Sequence, residues 1–194
     1  MELKSNVGGG GMQIATQNEV LLTKLLEFYK KNDNLNRMLK IINGDTKISL
    51  RIIDWFTTNY AKTYFTLYNI TKPNGTQIRF KVYSNYKLNL KAYGKDRFDP
   101  FCRSDRILVP YNDGTSVETT IGQLLFFKWA IENKVIDYVM NNYTIIEKDM
   151  NCRNSTSKRK EKTDVKTRKK REELSISATK SIKKEEVEIV VKFS

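Results

Sequence analysis

Residues 107–132 read ILVPYNDGTSVETTIGQLLFFKWAIE. This stretch decides the fold class. Ile107 to Tyr111 is β-prone, Asn112-Asp113-Gly114 is a turn signal, and Ser116 to Thr119 completes a hairpin. Thr120-Ile121-Gly122-Gln123 then fits a capping box, with Gln123 expected to reach back to the Thr120 amide. The helix that follows carries Leu124, Leu125, Phe126, Phe127, Trp129, Ala130 and Ile131. Apolar on nearly every side, it belongs at the centre of a core. Val135 to Val139 continues helically past a break near Asn133. A hairpin running straight into a core helix is the pattern of an α+β domain.

Upstream, residues 64–83 predict a second hairpin. Tyr64 to Ile70 is aromatic and β-branched, Lys72-Pro73-Asn74-Gly75 is a turn, and Gln77 to Tyr83 is the return strand. A helical or irregular piece covers Tyr86 to Tyr93. Before the hairpin the periodicity is helical. Leu21, Leu22, Leu25, Phe28 and Tyr29 share one face. Leu35, Met38, Leu39 and Ile42 follow, with Asp33 or Asn34 as cap and Asn43-Gly44 as stop. A third helix is predicted over Leu50 to Ala61, capped by Ser49, with Ile52, Ile53, Phe56 and Tyr60 inward.

The chain has 194 residues, 35 basic and 22 acidic side chains, and a formal charge of +13. Of its 21 aromatic residues, only Phe193 lies beyond residue 150. Residues 1–150 hold 21 basic and 15 acidic side chains, and residues 151–194 hold 14 and 7. A charged segment without aromatics buries too little surface to offset its ordering entropy. Three regions follow: a flexible Gly-rich N-terminus over 1–15, an α+β domain over 16–150, and a basic disordered tail over 151–194. The domain places helices at both ends around short antiparallel hairpins.

Several chemistries drop out. With no histidine, Ser-His-Asp and Cys-His nucleophile systems and His-ligated zinc are absent. Two cysteines are too few for a Cys₄ zinc site or a disulfide scaffold. No apolar run reaches the roughly 18–20 residues that span a bilayer, and Met1 to Gln13 lacks a secretory signal. The expectation is an intracellular protein with reduced thiols, no cofactor, no metal and no membrane contact.

Charge supplies the functional signal. The tail holds Lys158-Arg159-Lys160 and Arg168-Lys169-Lys170-Arg171, clusters that neutralise phosphates independently of base sequence. Their spacing also resembles a bipartite nuclear-import signal. In the domain, Arg79, Lys81 and Tyr83 are expected on one strand face. Lys87 and Lys91 continue a basic zone interleaved with aromatics, a composition that holds phosphates and stacks bases. Beyond Glu186, the β-prone Val187, Ile189, Val190 and Val191 suit either docking on a partner's sheet edge or a strand of the chain's own sheet. Asp99-Pro100-Phe101-Cys102-Arg103 reads as a structural turn, with Asp99 making an Asx-type bond. Asp113 with Glu132-Asn133-Lys134, or Asp96 with Asp99 and Asp105, are the only acid groupings that invite a metal-nuclease reading.

The stretches from Ile48-Ser49-Leu50-Arg51-Ile52-Ile53-Asp54-Trp55-Phe56 to Asn59-Tyr60, Phe98-Asp99-Pro100-Phe101-Cys102-Arg103, and Glu118 to Asn133 together resemble an uncharacterised family of the nucleocytoplasmic large DNA viruses, the giant viruses. The resemblance covers about residues 45–150 and matches a bias toward residues with AT-rich codons. It implies a virion, a cytoplasmic virus factory or the host nucleus as the setting, and carries over no catalytic residue. The expected function is non-enzymatic contact with DNA or RNA phosphates. The alternatives are a minor capsid or scaffold protein whose tail meets acidic virion proteins, and a metal-dependent nuclease.

Overall fold

The structure, a computed structural model, describes residues 17–111, 114–160 and 184–186. Helices α1 (Gln17–Tyr29) and α2 (Asn34–Asn43) open it. Between them Asn32 and Asp33 both take positive φ, 53° and 56°. Asp33 stands at the cap position without capping. Instead the Asn34 side-chain amide donates to the Phe28 carbonyl at 2.9 Å, so the turn is closed from the helix behind it. Gly44, at φ 81°, ends α2 in the left-handed conformation that favours glycine.

The third helix begins where Ser49 predicts. Its hydroxyl accepts from the Ile52 amide at 3.3 Å. The helix has three parts: α3 (Leu50–Trp55), a π-helical turn over Phe56–Tyr60, and α4 (Ala61–Thr63). The widening has a local cause. The hydroxyls of Thr57 and Thr58 donate to the Asp54 carbonyl at 3.1 and 2.6 Å, competing with the backbone for that acceptor.

The first hairpin pairs β1 (Leu67–Thr71) with β2 (Gln77–Lys81), Leu67 opposite Lys81 and Ile70 opposite Ile78. Both strands are shorter than predicted. Tyr64 and Phe65 form the turn that follows α4. Val82 makes the last cross-bond, to the Thr66 carbonyl at 3.2 Å, and then starts α5 (Val82–Tyr93). Tyr83 therefore does not share a strand face with Arg79 and Lys81. Spacing Val82, Tyr86 and Leu90 four apart puts the apolar surface on a helix face instead, and Val82 and Tyr86 are buried.

The second hairpin pairs β3 (Arg106–Tyr111) with β4 (Thr115–Thr120), Val109 opposite Val117. A third strand, β5 (Lys184–Glu186), lies antiparallel on the other side of β4, with Glu186 opposite Thr115. Strand β4 runs directly into α6 (Ile121–Glu132), followed by α7 (Val135–Asn141) and α8 (Tyr143–Lys160).

Helix α6 is central, as its composition predicts. Leu124, Phe126, Phe127 and Ala130 are wholly buried, and α1, α7 and β4 pack around it. Trp129 touches Phe80, Tyr86, Phe98 and Phe126, and its indole N–H donates to Asn85 at 2.6 Å. The Thr120 cap is present, its hydroxyl accepting from the Gln123 amide at 3.0 Å. The Gln123 side chain does not reach back to Thr120. It accepts from the Thr119 hydroxyl and donates to the Pro100 carbonyl, both at 2.9 Å.

One hydrophobic core joins all these helices and hairpins, and the fold class is a single α+β domain. The expected boundary at Met150 falls inside a helix. Helix α8 buries Ile146 and Met150 and runs on to Lys160, so residues 151–160 are helical rather than irregular. Residues 1–15, the Arg168-Lys169-Lys170-Arg171 cluster and Val187 to Val191 lie outside the described residues.

Candidate nucleic-acid interface and a buried charge cluster

Alternation along β2 separates its side chains cleanly. Phe80 turns inward, while Arg79 and Lys81 lie on the exposed face, opposite Asn69 and Leu67. On α5, Lys87 and Lys91 stand one turn apart on the exposed face. With Ser84 and Leu88 they line a shallow depression. Among the described residues these four cations have no carboxylate partner, whereas Arg37, Arg103, Arg106, Lys128 and Arg153 are all paired. The aromatics of this zone are not free. Tyr86 is buried, and Tyr93 stacks on Phe98 with ring centroids 6.5 Å apart.

The corner between α4 and β1 is a feature that sequence reasoning missed. Phe65 is 83% exposed and takes φ 49°. Its surroundings are fixed. The Tyr64 amide bonds Tyr60, the Thr66 amide bonds Ala61, and the Thr66 carbonyl accepts from Val82. Asp149 of α8 holds the corner from below, accepting from the Trp55 indole at 2.9 Å, the Tyr64 hydroxyl at 2.9 Å and Arg153 Nε at 3.0 Å. Arg153 also donates to the Thr63 hydroxyl at 3.0 Å and lies over the Tyr64 ring at 5.8 Å. Lys62 lies over the Tyr83 ring at 5.9 Å. Helix α8 continues from Arg153 through Lys158-Arg159-Lys160, so the first basic cluster leaves the body beside this corner. The sequence signal for the corner is slight: an aromatic pair, Tyr64-Phe65, that reads as the start of a strand.

The Asp99–Arg103 turn is closed by an ion pair rather than an Asx bond, with Asp99 buried and Arg103 half-exposed. Asp99 is buried and accepts from Arg103 Nε and Nη2 at 2.7 and 2.5 Å. The guanidinium also lies over the Phe101 ring at 5.0 Å, and the bond to Asp99 holds its pKa above the usual arginine value. A second carboxyl, Asp54, faces the pair. Burial pushes it up to about 6, the Asp99 charge adds to this, and Arg103 pulls the other way. Burial, with Asp54 and Asp99 nearby, pushes the Tyr86 phenol up to about 12. The cluster links α3, α5 and the 99–103 turn, and Cys102 is buried within that turn.

Among the described residues, acids of the groupings that invite a nuclease reading are engaged elsewhere. Glu132 is paired with Lys128, Asp99 with Arg103, and Asp113 lies outside the described residues. Among the described residues no three metal-ligating side chains gather, and no helix is long and apolar enough to cross a membrane.

A model of a family of unknown function, DUF7197, matches residues 11–194. An uncharacterised protein of Acanthamoeba polyphaga mimivirus, L507, is 42% identical over 168 residues, covering 83% of this chain and 64% of the relative. The chain thus spans less than two thirds of that relative's length. No solved structure matches.

Proposed function

Since the chain belongs to this family of unknown function and is similar to an uncharacterised protein of a giant virus, we propose that it is a non-enzymatic, nucleic-acid-associated viral protein of the virion or virus factory. Its basic residues bind phosphate backbones. One observation carries the reading: the helix that bears Lys158-Arg159-Lys160 is docked on the body where Asp149 bonds Trp55 and Tyr64 and Arg153 bonds Thr63. The first tail cluster follows on the same helix from the residues that meet the corner leading into the first hairpin. A helix rises 1.5 Å per residue, so Lys160 stands about 10 Å beyond Arg153. The tail supplies salt-sensitive affinity, and Arg79, Lys81, Lys87 and Lys91 orient the contact.

The test replaces Lys158, Arg159, Lys160, Arg168, Lys169, Lys170 and Arg171 with glutamine. Binding to DNA and RNA is then followed over a salt series. Each phosphate that is no longer neutralised flattens the log–log slope by about 0.9 on duplex DNA or about 0.7 on single strands. An unchanged slope and affinity would sink the assignment of the tail. If the parent binds no nucleic acid at low salt, the capsid or scaffold reading replaces this one.

A further inference from the structure

We propose that Phe65 is a base-stacking residue, and that the α4–β1 corner binds single-stranded rather than duplex nucleic acid. This rests on the nucleic-acid reading above and names its ligand class.

A phenylalanine 83% exposed forgoes the burial that normally places this residue inside. Its positive φ, 49°, is a strained conformation for a bulky side chain. Neither comes from a loose loop. The backbone bonds of Tyr64, Thr66 and Val82 pin the corner on both sides of Phe65, so the ring is held outward by a rigid support. Tyr64 beside it is half-exposed and oriented by Asp149. Leu67, also partly exposed, extends the apolar surface.

The surroundings identify the occupant. Three cations on three elements frame the corner. Lys62 lies three residues before Phe65 on α4, Lys81 lies opposite Leu67 on β2, and Arg153 of α8 lies over Tyr64. Asp149, the acid at this corner, is already engaged by Trp55, Tyr64 and Arg153. An apolar protein surface laid on Phe65 would have to desolvate Lys62 and Lys81 without pairing them, Arg153 being already paired with Asp149. A nucleic-acid strand offers an aromatic face to the ring and phosphates to the cations at once. In a duplex those base faces are already stacked on one another and closed to the ring. The exposed side chains Leu88, Leu108, Met140 and Ile145 are aliphatic and offer no ring to stack.

The experiment measures full-chain binding to a labelled oligo-dT of roughly 15 nucleotides and to a duplex of equal length. Phe65→Ala lowers oligo-dT affinity about five- to a hundred-fold. Duplex affinity and the salt slope on either ligand stay as in the parent, because no cation has been removed. Phe65→Trp keeps or raises oligo-dT affinity. Unchanged oligo-dT binding by Phe65→Ala, with the parent binding well, overturns the stacking role. So does an equal loss on duplex, or conversion of a parent dimer to a monomer in light scattering. A parent that binds neither ligand at low salt overturns the nucleic-acid reading itself.

Discussion

Asp54 shows how much one side chain's surroundings change its chemistry. As an isolated aspartate on a helix it would titrate in the ordinary carboxylate range. Half-buried and facing Asp99, it is pushed up to about 6. The folded protein then binds a proton that the unfolded chain releases near 3.8, the ordinary value. Stability from this group is complete below that value, falls as pH rises to about 6, and stays lost above it. Asp54→Asn removes the dependence. Thermal melts at pH 4 should match the parent, while at pH 8 the variant should be more stable by about 1–3 kcal/mol. Loss of stability at pH 8 would mean that attraction to Arg103 outweighs burial and the Asp99 charge.

At the scale of elements, the start of α6 organises the centre. Gly122 sits so close to the preceding chain that a Cβ there would lie 2.8 Å from the Asp96 carbonyl oxygen, and the Gly122 carbonyl accepts from the Asp99 amide at 3.3 Å. One residue on, the wholly buried Gln123 bridges Thr119 of β4 and Pro100 of the turn. A capping motif has thus become the joint between a hairpin, a helix and the ion-paired turn. Gln123→Leu fits the volume but leaves the Thr119 hydroxyl and the Pro100 carbonyl buried without partners. The expected loss is about 2–4 kcal/mol in chemical denaturation. A loss below about 1 kcal/mol would show that another donor replaces the amide.

At the scale of the molecule, α8 connects body and tail. Its first half closes the core with Ile146 and Met150, Asp149 bonds it to Trp55 and Tyr64, and Arg153 bonds it to Thr63. A chain cut after Lys160 should keep a cooperative melt. A chain cut after Met150 should melt lower by about 2–6 °C, the effect of removing roughly 1–2 kcal/mol of ion pairing and hydrogen bonding at this size. Calorimetry of the two truncations decides the point. Failure of the longer one to melt cooperatively would make the segment that pairs with β4 part of the core.

Much of the architecture is written in local pattern. Ser49 and Thr120 mark helix starts, Gly44 and Gly114 mark turns, and the all-round apolar α6 declares itself central, because caps, positive φ and burial depend on neighbours a few residues away. Where local signals competed, tertiary structure decided. Val82 and Tyr83, read as the end of a strand, begin helix α5 instead, because Val82 and Tyr86 are buried on one helical face. The helix runs past Met150, and there Arg153 meets Thr63 and Tyr64, partners invisible to a count of charge and aromatics. The candidate site divides the same way. Basic composition pointed to Arg79, Lys81 and the tail, since charge is a property of sequence. The exposure of Phe65 was not legible, because an aromatic residue is ordinarily read as core. Nor was the Asp54–Asp99–Arg103 cluster, whose Asp54 and Asp99 lie 45 residues apart. Only packing decides which apolar ring stays outside and which charges meet inside.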